Sequence, residues 1–325
     1  MNFFKSSWCP VIISLVFIVA LINNQLFSTS EDKSTSNFYN SYNNQLTPDT
    51  NAIPSDHYGD LVRYGKDLIS NTSYFLGPKG IISQSSNGLN CQSCHIDAGL
   101  KPFGNSFAAV ASTYPQVRGR SGKLESIEFR INECMERSLN GKRLDPESDE
   151  MKAMITYLEW VGKDVPKGVR PEGSGIVEIP LLDRAANPER GIQIYLAKCQ
   201  RCHGENGEGV YRENAYLYPP LWGENSYNVS AGLYRLSRMA SFIKYNMPFD
   251  SAALGYRLPD EDVWDVSAYI NSQPRPEKKF SYDWPDISKK AYDHPFGPYT
   301  DGFSEQQHKY GPYAPIKAAI AKNKK

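Results

Sequence analysis

Apolar residues recur at helical spacing in five stretches of the chain. Leu61, Tyr64, Gly65, Leu68 and Ile69 share one helix face, and Asn71, Gly77 and Gly80 end the pattern. Leu124, Ile127, Ile131 and Met135 predict a helix over 123–139, with Gly141 just past its end. Met154, Ile155, Tyr157, Leu158, Trp160 and Val161 predict another over 147–163. A fourth starts with Asn187 as cap and Pro188 at its first position, and continues through Gly191, Ile194, Tyr195 and Leu196. The fifth, 260–272, carries Val263, Trp264, Tyr269 and Ile270.

The order repeats. In each half an apolar-faced helix leads to Cys-x-x-Cys-His, and a long connection follows before a helix rich in aromatics. This duplication predicts a mainly α protein of two tandem domains resembling class I cytochromes c, over 57–165 and 187–275. Pro166, Gly168, Pro171, Gly173 and Gly175 mark 166–186 as a linker. The tail, 276–325, interleaves prolines with Trp, Tyr and Phe, so it is expected to pack irregularly across the domains. Residues 31–56 are rich in Ser, Asn, Asp and Thr and read as a flexible, irregular arm. Residues 1–30 begin with Lys5, pass through an apolar run from Val11 to Ile22 and turn polar, the order of a secretory signal or a short N-terminal anchor.

The 325 residues are 40% hydrophobic, enough for two modest cores. Lys plus Arg equals Asp plus Glu at 36 each, which argues against a nucleic-acid or anionic-membrane surface. Any membrane contact is expected through the N-terminal segment alone, and export points to the periplasm. Cys9 precedes the apolar run and is expected to leave with it. Four more of the six cysteines fill the two motifs, which leaves Cys134 unpaired.

Cys91-Gln92-Ser93-Cys94-His95 and Cys199-Gln200-Arg201-Cys202-His203 each supply two thiols for the haem vinyl groups and an imidazole for the iron. Two covalent haem c groups are therefore expected, with His95 and His203 as proximal ligands. A zinc site built from both cysteine pairs would not require a histidine after each pair.

The distal ligands decide what each haem does, because an axial Met raises the potential and a thiolate lowers it. The other histidines are only His57, His294 and His308, which disfavours bis-histidine ligation. Met247, followed by Pro248 and preceded by the Pro219-Pro220-Leu221 loop, resembles the Met-ligand loop of class I cytochromes c. Met239 instead sits at the helical spacing of Leu236 and Ile243, as core does. In the first half the comparable position holds Cys134-Met135. On a helix, Arg130, Cys134 and Ser138 fall on one stripe, whereas Met135 points about 100° away. Both Cys134 and Met135 stand as candidate ligands on these grounds.

The segments Cys91–Gly99 and Arg130–Gly141 resemble the thiosulfate dehydrogenase family of dihaem cytochromes, a likeness covering roughly 58–275. The resemblance implies a His95/Cys134-ligated haem that oxidises two thiosulfates to tetrathionate, or runs in reverse. It also implies a His203/Met247-ligated haem that passes electrons to an external c-type cytochrome. Joining two dianions calls for cations. Arg120 and Arg130 lead as candidates, with Arg118 beside them and Ser138 to hold a sulfonate oxygen. The alternatives are a non-catalytic electron-transfer cytochrome, in which Cys134 is ligand or core only, and a dihaem peroxidase, for which histidines are scarce.

Overall fold

The computed structural model describes residues 47–322. The readings of the signal, of Cys9 and of the arm up to residue 46 lie outside the described residues. Six helices carry the two haem domains: α1 (His57–Ser70), α2 (Ile127–Arg137), α3 (Asp149–Val161), α4 (Pro188–Lys198), α5 (Leu236–Asn246) and α6 (Asp260–Ser272). Their starts are written locally. The side chain of Asp56 accepts from Gly59 N, Ser126 from Phe129 N, Ser148 from Met151 N, and Asn187 from Glu189 N and Arg190 N.

Each domain is built on one helix crossing, α1 on α3 and α4 on α6. The crossings are sterically alike. A Cβ on Gly65 would lie 2.0 Å from the Ala153 carbonyl oxygen, and a Cβ on Gly191 would lie 2.1 Å from that of Asp265. In both cases the next obstacle is a tyrosine Cβ at 2.8 Å, of Tyr157 and Tyr269 respectively. Glycine is needed at these positions because backbone meets backbone.

The domains have separate cores. The first gathers Val62, Leu68, Met135, Met151, Met154, Tyr157 and Trp160, and the second Tyr195, Trp222, Leu236, Met239, Trp264 and Val266. Met239 is thus core, as its spacing implied. The tail completes the second core with Tyr310, Tyr313 and Ile316, placed by α7 (Glu305–Tyr310) and α8 (Ala314–Lys322). The linker is stitched down: Phe103 N donates to Gly173 O, Gly175 N to Ser106 O, and Trp264 Nε1 to Pro180 O. At the described end of the arm, Thr47 Oγ1 donates to Leu100 O and Ile53 packs on the first core.

One helix differs from the sequence reading. Residues 123–125 are not helical; β1 (Gln116–Val117) and β2 (Leu124–Glu125) form a short antiparallel hairpin, and Leu124 is 66% exposed. Its apolar phase matched the helix stripe by coincidence, while Ser126 supplies the cap that starts α2 one residue later. A second hairpin, β3 (Val210–Arg212) with β4 (Ala215–Tyr218), follows His203. Among the described residues no helix is long and apolar enough to cross a membrane.

Candidate functional site

Both Cys-x-x-Cys-His motifs sit on short turns, Cys91–Ser93 after the irregular stretch 77–90 and Gln200–His203 directly after α4. Cys91 packs against the first core and Cys199 against the second, so the two pairs do not converge on one metal. None of the described cysteines is in a disulfide, which leaves both thiols of each pair available for thioether bonds. The histidines are held alike. His95 Nδ1 lies 2.7 Å from Asn105 O, and His203 Nδ1 lies 2.8 Å from Pro219 O. A carbonyl can only accept, so Nδ1 carries the proton in each and Nε2 is the ligating nitrogen. Burial lowers the His203 pKa and takes that of His95 down to about 4, keeping both rings neutral as ligands must be.

In the first domain these groups line a cleft with about 1100 Å³ of empty space out to its mouth. Cys91, Cys94 and His95 form one wall. Cys134 and Met135 of α2 face them, and Ile69, Phe107, Val110 and Ile131 make the sides apolar. Space of this size, apolar walls, two thiols and a neutral imidazole fit a covalently held haem. Phe107 stacks on the His95 ring at 4.3 Å and fixes its plane.

The distal wall is charged. Arg130 and Ser138 lie one turn before and one turn after Cys134, and all three line the cleft with Arg118. Cys134, one turn away on the same helix, is the largest influence on Arg130 and raises its pKa above the usual arginine range. Arg130 Nη1 donates to Glu133 Oε2 at 3.0 Å. Glu133, fully buried, also meets Arg137 at 3.3 Å and Arg120 at 3.8 Å. Burial pushes its pKa up, but Arg130, Arg120 and Arg137 outweigh that and hold the carboxylate ionised.

Arg137 leads from this cluster into the tail. Its buried guanidinium binds Asp283 at 2.6 and 2.8 Å and stacks on Phe280 at 4.0 Å. Trp284 N donates to Arg120 O at 2.6 Å. The tail segment 280–284 therefore braces both carriers of the cations, α2 and the loop holding Arg120.

Arg120 itself is placed differently from the other candidates. It lines a second cavity, between that loop, residues 229–235 and the tail, while Arg118, Arg130, Cys134 and Ser138 line the cleft. Sequence reasoning did not single out Glu133 or Asp283. Glu133 and Arg137 were legible in part, since i, i+4 opposite charges flank Cys134 on its helix. It also missed Gln116, whose buried Nε2 has no hydrogen-bond partner, and Arg170, an exposed linker residue at the mouth of the cleft.

In the second domain α5 buries mostly apolar residues, with Ser237, Ser241 and Asn246 among them. Leu236, Met239, Ala240, Phe242 and Ile243 of α5 are all buried, and Met247 follows at the C-cap, packed against the core. Asn246 Nδ2 donates to Phe103 O at 3.0 Å, and Phe103 stacks on Tyr245 at 5.2 Å. The Met247 loop is thereby fastened to the loop just after His95.

Residues 82–166 match the family model described as SoxA/TsdA, cytochrome c domain, and residues 188–274 match the cytochrome c model. A thiosulfate dehydrogenase of Psychrobacter arcticus is 41% identical over 242 residues, 73% of this chain and 71% of that protein. One of Thiomonas intermedia is 34% identical over 71% of each chain. The solved thiosulfate dehydrogenase TsdBA from Marichromatium purpuratum, in its as-isolated form, superposes with a TM-score of 0.68 at 28% identity, over 75% of this chain. This chain covers 52% of that one, about half its length. With two cytochrome c domains, each built around its own attachment motif, the protein holds two covalent haem c groups and belongs to the thiosulfate dehydrogenase family.

Proposed function

We propose that this protein is an exported, periplasmic thiosulfate dehydrogenase that couples two thiosulfates into tetrathionate at the His95 site and releases electrons through the His203 site. The observation that carries this reading is that Cys134, outside both attachment motifs and in no disulfide, lines one cleft with the Arg130 guanidinium one helical turn away. An inert core cysteine has no need of such a partner. When bound, the two haems supply two one-electron acceptors, the number that the coupling releases.

Cys91 and Cys94 would hold the first haem, and His95 and Cys134 would be the residues that ligate its iron. Met135, though it lines the same cleft, is almost fully buried in the first core and is assigned to packing. Cys199, Cys202, His203 and Met247 hold the second. Arg130 attracts the first dianion. Cys134 sulfur then bonds the outer sulfur of that thiosulfate, losing two electrons and leaving Cys–S–S–SO₃⁻. The outer sulfur of the second thiosulfate attacks the same atom, and the Cys134 thiolate departs as tetrathionate forms. Charge and sulfur balance in both steps, and the same bonds taken backwards reduce tetrathionate. Ser138 offers its hydroxyl, and Arg118 a second cation, to sulfonate oxygens. Glu133 keeps Arg130 in place rather than touching substrate. An external c-type cytochrome is the electron acceptor.

The experiment is thiosulfate-dependent cytochrome c reduction by wild type and Cys134→Ser, each with haem content measured. Both haems retained and turnover abolished in the variant is the expected result; undiminished turnover contradicts the proposal.

A further inference from the structure

We infer that the second cavity, walled by Arg120, Lys279, Lys290 and Trp284, is a separate binding site for a small sulfonate dianion, where a second thiosulfate is held while the first occupies the haem cleft. This inference rests on reading the cleft as the thiosulfate site, and it adds a place for the other reactant.

The cavity has about 770 Å³ of empty space out to its mouth, and its lining carries an excess of unneutralised positive charge. Two of its charged groups are already paired: Arg235 with Asp293, and Asp283 with Arg137. Three cations remain. Lys279 makes no hydrogen bond or ion pair among the described residues, and its Nζ lies 4.6 Å from the centre of the Phe296 ring. Lys290 Nζ donates to two backbone carbonyls, Phe296 O at 3.1 Å and Pro298 O at 3.0 Å, which leaves its charge uncompensated by any carboxylate in contact.

Arg120 is the most telling of the three. Its side chain is 14% exposed, it donates no hydrogen bond among the described residues, and its nearest carboxylate oxygen, Glu133 Oε1, is 3.8 Å away. Burial and neighbouring Arg137 hold its pKa down at about 10, the condition of a cation short of a partner. A guanidinium largely withdrawn from water with its donors unfilled favours a planar or tetrahedral oxyanion. His294, also in the lining, adds no charge at neutral pH. It accepts from Trp284 Nε1, donates to Phe296 O, and burial keeps it neutral down to about pH 4.

The place of the cavity fits its occupant. Glu133 offers Oε1 to Arg120 on the cavity side and Oε2 to Arg130 on the cleft side. Oε1 also meets Arg137, at 3.3 Å, so one carboxylate is shared among three guanidinia and leaves Arg120 and Arg130 under-compensated, and a reaction that needs two dianions meets two neighbouring cationic sites.

The test is calorimetric titration of the oxidised dihaem protein with sodium sulfate, an unreactive dianion, in wild type and four variants. Lys279→Gln with Lys290→Gln should weaken sulfate binding about tenfold, and Lys279→Gln alone about threefold. Arg130→Gln, in the cleft, and Lys79→Gln, an exposed control, should leave that binding unchanged. Unaltered Soret spectra and melting temperature show the variants are folded, and Lys279→Gln breaks no hydrogen bond. Sulfate affinity lost in Arg130→Gln but kept in the lysine variants overturns the inference, as does an equal loss in Lys79→Gln or no binding in wild type. Thiosulfate kinetics provide the second arm, where Lys279→Gln should raise the half-saturating concentration with kcat within about twofold. If wild type bound sulfate in this pattern yet never oxidised thiosulfate, the cavity would stand and the reading of the cleft would fall.

Discussion

The two domains hold haem in the same way and surround its far side in opposite ways. Both cross their helices at a glycine pressed on backbone, and both fix the proximal imidazole through a carbonyl on Nδ1. The divergence is confined to α2 and α5. On α2 Arg130 and Cys134 line the cleft with Glu133 and Arg137 buried behind them, whereas α5 buries mostly aliphatic and aromatic residues, with Ser237, Ser241 and Asn246 among them, and ends at Met247. On the function proposed, a duplicated scaffold keeps one copy as a relay and turns the other to chemistry by exchanging one helix face.

The largest way to break this comparison is Cys134→Ala. Loss of a nucleophile is expected to cut thiosulfate turnover by about 10³-fold or more, while haem staining shows both groups attached. Next is Asp283→Asn, which strands the Arg137 charge in a buried site and is expected to cost about 3 kcal/mol in guanidinium unfolding of the holoprotein. The half-saturating thiosulfate concentration should rise with it, because Glu133 is then drawn toward Arg137 and away from Arg130. Arg190→Gln, which breaks ion pairs with Glu261 and Asp262 in the second domain and lines neither cavity, should leave that concentration unchanged.

The shared scaffold is tested by Gly65→Ala and Gly191→Ala in parallel. Each forces two helix backbones apart and is expected to lower stability by about 2 kcal/mol, to a similar extent in the two domains. A large effect in one and none in the other would mean the crossings are not equivalent. The smallest effect concerns pH. His294 is neutral when folded, with its pKa taken down to about 4 by burial, against an ordinary value of 6.5. Below pH 6.5 the unfolded chain takes the proton first, so stability should fall between about pH 6.5 and 4. That slope should be flatter in His294→Gln.

Much of this was legible in the chain itself, because caps, helix phase and Cys-x-x-Cys-His are local. Asn187 with Pro188, the run to Ser272 and the stripe of Arg130, Cys134 and Ser138 all follow from neighbours within two turns. What was not legible is long-range. Asp283 pairs with Arg137 across most of the second domain, and nothing in either segment's pattern names the other. For the same reason Arg120, close to Arg118 in sequence, faces a different cavity. The hairpin at 124–125 was misread because two residues carry too little pattern to outweigh a matching helical phase.

The central claim is that the two haems share their proximal side and differ in their distal ligand. Low-temperature EPR of the oxidised protein measures this most directly. The account expects two distinct low-spin signals, one of a thiolate-ligated haem that disappears in Cys134→Ala, and one of a His/Met haem that does not change. Two similar His/Met signals, both indifferent to Cys134→Ala, would contradict it and place Met135 on the first iron.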